Sequence, residues 1–249
     1  MTKTIVITGA GRGIGASTAV LAGQRGWSVV VNYAGNAPAA EATVAAVAAA
    51  GGRAIAVKGD VAVEADVIAV FDAAVGEFGA IDGVVNNAGI IMGPPMPLAE
   101  MPAARIERIM RVNVVGAYLV AREASRRMGR SRGGRGGALV NLSSAAAVIG
   151  GPGEFVDYAG SKGAIDSLTI GLAKELAADG IRVNAVRPGL IETEIHASGG
   201  QPGRAERLGV TVPIGRSGTA AEVGEAIVWL LSDAASYVVG TTVAVTGGR

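Results

Sequence analysis

The sequence has no cysteine and a single histidine, His196, among its 249 residues. The first absence removes disulfides, thiolate nucleophiles, iron–sulfur clusters and cysteine-bound zinc together, and it suits a reducing compartment. The second makes a histidine-rich metal site untenable. No surplus of one charge sign exists either: 22 basic residues stand against 21 acidic ones, so nothing in the balance points to nucleic acid or to an anionic membrane. Long apolar runs are missing as well. No stretch reaches the roughly 18 residues that a membrane span needs. Met1–Thr4 leads into an apolar run that glycine breaks too soon for a signal peptide. The expectation is a cytoplasmic protein whose ligands are small molecules, with neither nucleic acid nor membrane as partner.

What the chain does have is apolar residues, 50% of the total, enough at this length to bury one large core in a single domain. Short β-branched runs alternate with alanine-rich helical segments, the pattern of βαβ units around a parallel sheet. Strands are expected over residues 4–8, 28–33, 53–58, 83–86, 138–142, 182–187 and 242–245, and helices over 13–25, 39–50, 64–78, 103–128, 157–178 and 221–231. Right-handed crossovers then give an α/β, three-layer, doubly wound Rossmann fold on a seven-stranded parallel sheet. Residues 190–218 carry Gly, Pro and charges without a strong period. A connection of that length suits a substrate lid.

Thr8-Gly9-Ala10-Gly11-Arg12-Gly13-Ile14-Gly15 stands where the first strand ends and the first helix begins. Glycines there permit a tight turn and a close approach to a pyrophosphate, which the amino end of the helix attracts. No Gly-Lys-Ser/Thr follows, so a nucleoside-triphosphate loop is disfavoured. The second strand ends Val31-Asn32-Tyr33, without the carboxylate that would bind the ribose 2′-hydroxyl of NAD. Arg12 could pair with a 2′-phosphate instead. NADP(H) is therefore the expected cofactor, with NAD(H) accepted as the lesser one.

These strings, with those that follow them, resemble the short-chain dehydrogenase/reductase family over the whole chain. Gly59-Asp60-Val61 resembles its adenine contact, Asn86-Asn87-Ala88-Gly89 its turn after the fourth strand, and Asn113 its buried asparagine. Asn141-Leu142-Ser143-Ser144, Tyr158-Ala159-Gly160-Ser161-Lys162 and Arg187-Pro188-Gly189-Leu190-Ile191-Glu192-Thr193 resemble its serine strand, its Tyr-x-x-x-Lys helix and its nicotinamide-side loop. The resemblance implies an oxidoreductase that interconverts a carbonyl and a secondary alcohol. It also implies cofactor contacts from Gly9, Gly11, Arg12, Gly13, Ile14, Gly15, Asn32, Tyr33, Asp60, Val61, Asn87, Ala88, Gly89, Pro188, Gly189, Ile191 and Thr193. Two narrower alternatives are a sugar 1-dehydrogenase and a 3-oxoacyl-thioester reductase. A non-catalytic NADP-sensing regulator is the alternative from another class. Relatives assemble as dimers or tetramers through the two long helices, and a homotetramer is expected here.

The chemistry can be argued beside the resemblance. Residues four apart on a helix share a face, so Tyr158 and Lys162 can act on one pocket. Reducing a carbonyl needs a proton at oxygen, and a tyrosine of pKa about 10 is a poor base near neutrality, short by roughly 3 units. Lys162 is expected to lower that pKa and, by resemblance, to hold the nicotinamide ribose. Ser144 is the expected hydrogen-bond donor to the substrate oxygen. Adjacent Ser143 points to the opposite face of the strand. The loop Gly150-Gly151-Pro152-Gly153 makes the serine-to-tyrosine spacing one residue longer than the family's. Asn113 is assigned, on resemblance, to a water-linked proton path from Lys162. His196 reads as a solvated or substrate-fringing lid residue. No Gly-x-Ser-x-Gly elbow exists, since Ala159 precedes Ser161 where glycine would be needed. Arg126, Arg127, Arg130, Arg132 and Arg135 read as a solvated helix end. The pocket walls are expected from residues 92–96, 150–155 and 192–207.

Overall fold

The computed structural model describes residues 2–249. Along the chain it runs β1 (Thr4–Ile7), α1 (Gly13–Gln24), β2 (Ser28–Tyr33), α2 (Ala37–Ala49), β3 (Arg53–Lys58), α3 (Glu64–Phe78) and β4 (Gly83–Asn86). The second half follows with α4 (Ala103–Met110), α5 (Ala117–Met128), β5 (Gly137–Leu142), α6 (Ala146–Ile149), α7 (Val156–Leu176), β6 (Ile181–Pro188), α8 (Ile195–Ser198), α9 (Arg204–Gly209), α10 (Ala220–Leu231) and β7 (Thr242–Val245). All seven strands are parallel, in the order β3-β2-β1-β4-β5-β6-β7. The expected doubly wound sheet is thus the observed one. Its order reverses between β1 and β4, the switch point at which such sheets open a ligand crevice beyond the carboxyl ends of their strands.

Strand alternation sorts the core into two layers. Ile5 and Ile7 pack with Ala19, Ala22, Val223 and Ile227 from α1 and α10. Val6 faces the other side, with Val67 and Phe71 of α3, Val120 and Ala124 of α5, and Leu176 of α7. Both faces are covered, which is why these strands read as continuous apolar runs.

Most element ends fall where expected, and the others move by a residue or two. β1 ends at Ile7, where the Thr8 N–H still donates to the Val85 carbonyl at 3.0 Å while its hydroxyl accepts the backbone N–H groups of Asn87 and Ala88, both at 3.0 Å. α2 begins early because the Asn36 side chain caps it from the N–H of Ala39. α10 starts on a reciprocal capping box between Thr219 and Glu222.

One helix differs in kind. The continuous helix expected over 103–128 is interrupted by a π-helical turn, Arg111–Gly116. Such a turn admits one extra residue and re-aims the side chains around it. Here it carries Asn113. The segment 190–218 is also more regular than its sequence suggests. An isolated bridge between Ile191 and Gly218 pins its two ends, and α8 and α9 lie between them.

Candidate active site

The loops that leave β1, β4, β5 and β6 meet over the carboxyl edge of the sheet. They enclose a cavity of about 440 Å³ whose lining includes Asn87, Ser144, Tyr158, Lys162, Gly189 and Thr193. The space lies within the range usual for small-molecule sites.

The glycine loop is shaped by more than freedom to turn. Gly9 and Gly13 have φ of +63° and +56°, values at which a side chain would be strained. A Cβ on Gly15 would come within 2.6 Å of both the Asn87 amide nitrogen and the Gly9 carbonyl. Asn87 explains that crowding: its side chain donates to the carbonyls of Thr8 at 2.7 Å and Gly9 at 3.1 Å, tying the turn after β4 to the glycine loop. Arg12, at the cap of α1, supplies no side-chain hydrogen bond to the helix and is exposed. No acid stands in the first turn of α1, so its N–H groups and the positive end of its dipole are available to an anion. The cradle fits a dinucleotide pyrophosphate. Thr193, from the segment after β6, reaches over it, its methyl group 3.4 Å from where a Cβ on Gly13 would stand. Ile14, Gly89, Pro188 and Ile191 also line the cavity.

Two of the expected cofactor contacts, Asn32 and Val61, are committed to the interior. Asn32 is buried, and its amide is spent inside the protein: it accepts the N–H of Gly9 and donates to the carbonyls of Val57 and Gly59. It braces the glycine loop against β3 and has no surface to offer a ribose. Val61 is likewise a core residue, packed on Gly116 of the π-helical turn. The Asp60 carboxylate accepts the N–H of Ala62 at 2.9 Å and pairs with Arg108 at 3.3 Å. Tyr33 is half-buried at the end of β2, and Gly11 packs against the start of α2.

At the floor of the cavity, Tyr158 and Lys162 leave one face of α7 a turn apart. Ser144, just beyond β5, hydrogen-bonds the Tyr158 hydroxyl, while the Ser143 hydroxyl turns to the carbonyl of Lys162 at 3.4 Å. That resolves the serine pair in favour of Ser144 as the neighbour of the phenol. Lys162 is buried and donates to the Leu142 carbonyl at 2.7 Å. Burial pulls its pKa down to about 8, against a partial upward pull from Asp166.

The expected lowering of the tyrosine pKa is not what the chain alone achieves. Burial raises the Tyr158 pKa, and the Ser144 hydrogen bond offsets this in part. The reason is geometric: the Lys162 ammonium lies 5.7 Å from the centre of the tyrosine ring and is engaged by Leu142, too weak an opposition to the desolvation of a phenolate.

Asn113 is buried, with its side-chain oxygen accepting the N–H of Ile90 at 2.8 Å and its nitrogen donating to the Ile90 carbonyl at 2.9 Å and the Ser161 hydroxyl at 3.1 Å. Its oxygen and the Lys162 ammonium both flank Gly89, 3.5 and 3.4 Å from the place a Cβ would take. A larger residue there would crowd both.

The walls depart from expectation on one side. Residues 150–155 and 192–207 contribute as expected, but 92–96 stand back from the cavity, where the Pro94 carbonyl accepts from Arg105, and their neighbour Ile91 takes the wall. Gln201, Arg204 and Arg249 were not singled out from the sequence and line the cavity. The arginine run is largely committed elsewhere: Arg126 pairs with Glu123 at 2.7 Å, Arg127 with Asp72 at 2.6 Å and Arg135 with Asp82 at 2.9 Å. Among the described residues no cluster of acids and histidine could hold a metal, and no helix is long and apolar enough to cross a membrane.

A family model for enoyl-(acyl carrier protein) reductase matches residues 9–249. An uncharacterised oxidoreductase of Escherichia coli, YgfF, is 49% identical over 98% of both chains. The chain belongs to the short-chain dehydrogenase/reductase family. Another member, 3beta-hydroxysteroid dehydrogenase 1 of Eggerthella lenta, is 41% identical over 99% of this chain and 93% of its own. The crystal structure of a 3-ketoacyl-(acyl-carrier-protein) reductase from Brucella melitensis complexed with NADH superposes with a TM-score of 0.90 at 32% identity, covering 99% of this chain and 98% of that one. Membership makes this chain an oxidoreductase that interconverts carbonyl and alcohol groups with a nicotinamide nucleotide.

Proposed function

We propose that the chain is an NADP(H)-preferring reductase of small carbonyl compounds in which Tyr158 is the proton donor. The observation that carries this reading is the convergence of Ser144, Tyr158 and Lys162 on one cavity beside a glycine cradle. A bound nicotinamide nucleotide supplies the hydride in reduction and takes it in oxidation. Ser144 and Tyr158 hydrogen-bond the substrate oxygen, and Tyr158 delivers the proton. Lys162 holds the nucleotide ribose and adds a positive charge beside the developing alkoxide. Asn113 keeps the Ile90 segment and Ser161 in register behind Lys162 and stands on the route by which the proton is replaced. Thr193, Pro188, Gly189 and Ile191 hold the nicotinamide side, and residues 190–218 close over substrate.

Exposed Arg12 supports the NADP preference, and with Asn32 committed to the interior the nucleotide choice falls to Arg12 and the segment after Tyr33. Parallel titrations with NADPH and NADH test this. NADPH is expected to bind at least about tenfold tighter, and Arg12→Ala to remove most of that difference while changing NADH binding about twofold or less. Equal binding of the two nucleotides by the unmodified chain would remove the preference.

The lowered pKa of Lys162 gives a direction for pH. Its ammonium is the functional form, so activity that depends on it is present below about 8 and fades as pH rises through that value. The rate of reduction read as kcat/KM for the nucleotide, which reports the unliganded chain, is expected to fall along that limb. A profile flat to pH 10 would show that this charge is not needed.

Assembly is proposed as a homotetramer. Val115, Tyr118 and Ile170 lie exposed along α5, the turn before it and α7, and the open surroundings of Gly163 and Gly171 on α7 allow a second helix to approach closely. The cytosol is the proposed compartment.

A further inference from the structure

The end of the cavity built by the lid carries two polar groups that the carbonyl chemistry does not use. His196 on α8 faces the Ile191 carbonyl through Nε2 at 3.0 Å. A carbonyl oxygen can only accept, so the ring proton is on Nε2 and Nδ1 carries a lone pair. No other described residue bonds to that ring, and His196 lines the cavity. Gln201, a neighbour through its N–H to the His196 carbonyl at 2.9 Å, is fixed in the same manner. Its side-chain oxygen accepts from both Arg204 and Arg207, which orients the amide and leaves its NH₂ group as an unused donor.

The Arg204 charge beside Gln201 has a carboxylate partner. Arg204 pairs with Glu154 at 2.6 Å and stacks over Phe155, 5.6 Å from the ring centre. Burial and the Arg204 charge also lower the pKa of His196, which keeps the ring neutral near pH 7. His196 and Gln201 thus bring one uncharged acceptor and one uncharged donor without a protein partner to a cavity whose lining also includes Ile91, Ile149, Phe155, Leu190, Ile195 and Leu208.

A hydroxyl group is both donor and acceptor, and it completes such a pair. A carboxylate would set its charge against the Nδ1 lone pair, and a methyl group would leave both groups unpaired, which a buried site penalises. We infer that His196 and Gln201 form a second recognition point for a neutral hydroxyl, so that the substrates are hydroxylated ketones and their diol products with an apolar body between the two oxygens. This rests on the carbonyl–alcohol reading of the site and names the substrate class for it.

The test compares three matched series: ω-hydroxy-2-alkanones, the corresponding 2-alkanones, and the ω-carboxylate analogues. The expected ratio of kcat/KM between the hydroxylated and plain ketone, at the best chain length, is about tenfold or more. His196→Phe should bring that ratio close to one. Gln201→Glu, which keeps an oxygen for the two arginines and removes the donor, should lower it as well. A merely structural loss would depress both ketones together and leave the ratio unchanged, and that result overturns the inference. Preference for the keto acid, through exposed Arg249 on the cavity wall, overturns it too. Binding of the matching diols and mono-alcohols, read by ligand-observed NMR on the unmodified chain and on His196→Phe, separates this inference from the catalytic reading. A diol preference lost in His196→Phe supports the hydroxyl site even if no ketone is turned over, and turnover without any such preference sinks the hydroxyl site alone.

Discussion

Tyr158→Phe is expected to lower kcat for carbonyl reduction by about 1,000-fold, the order that a positioned general acid contributes, with a far smaller change in nucleotide affinity. The substitution keeps the ring and its packing and removes one hydroxyl, so the loss isolates proton delivery. Ser144 remains but cannot replace it, since a serine hydroxyl is a much weaker acid than a phenol. The raised pKa of Tyr158 sharpens the expectation. In the unliganded chain the phenol is held in its protonated form, which suits reduction near neutral pH. Oxidation needs the phenolate, so its rate should climb with pH where that of reduction does not. The measurement is single-turnover consumption of NADPH by the unmodified chain and the variant. A variant within tenfold of the original would put the proton donor elsewhere. Nucleotide binding without turnover by either protein would favour a non-catalytic sensor.

The sheet was legible in the sequence because strands buried on both faces must be nearly continuous in apolar residues, and Val29-Val30-Val31 or Val84-Val85 can be little else. The glycine loop and the Tyr158–Lys162 pair were legible for a related reason: each is a local pattern whose spacing already fixes its geometry. What failed was whatever depended on partners distant in sequence. Asn32 looked like a nucleotide contact from its place at the end of β2, yet its amide is consumed by Gly9, Val57 and Gly59, a set of acceptors and donors that exists only once β3 is docked. The π-helical turn at Arg111–Gly116 carries no Pro, so a helical period runs through it; its Asn113 exchanges two hydrogen bonds with Ile90, a partner distant in sequence. Within the expected wall 192–207, Gln201 and Arg204 could not be told from their neighbours, because a segment without a period gives no such signal until Arg204 meets Glu154 and Phe155.

The most consequential pair of that kind joins Arg105 on α4 to Asp157 at the start of α7, and its loss should be the most destabilising single change in the site's framework. Both side chains are buried, 7% and 0% exposed, with Nε to Oδ2 at 2.7 Å and a second contact at 3.3 Å. The remaining guanidinium capacity goes to the carbonyls of Pro94 at 2.8 Å and Glu154 at 3.5 Å, and its plane lies 5.8 Å from the centre of the Phe155 ring. Asp157 in turn accepts the N–H of Tyr158 at 2.9 Å. One buried cation thus ties the 94 loop, the cavity wall at 154–155 and the first turn of the helix that carries Tyr158. Arg105→Met leaves the Asp157 charge buried without its partner, a change that costs about 3–5 kcal/mol and, for a chain of this size, lowers Tm by roughly 10 °C. Arg105→Lys keeps the charge and loses the fork, and should fall between. The double change Arg105→Met with Asp157→Asn removes both charges while retaining an acceptor for the Tyr158 N–H, and should recover much of the lost stability. Thermal unfolding at one fixed protein concentration reads all three. If the single and double variants melt together, the penalty lies in lost packing around Arg105, and the uncompensated carboxylate is not its source.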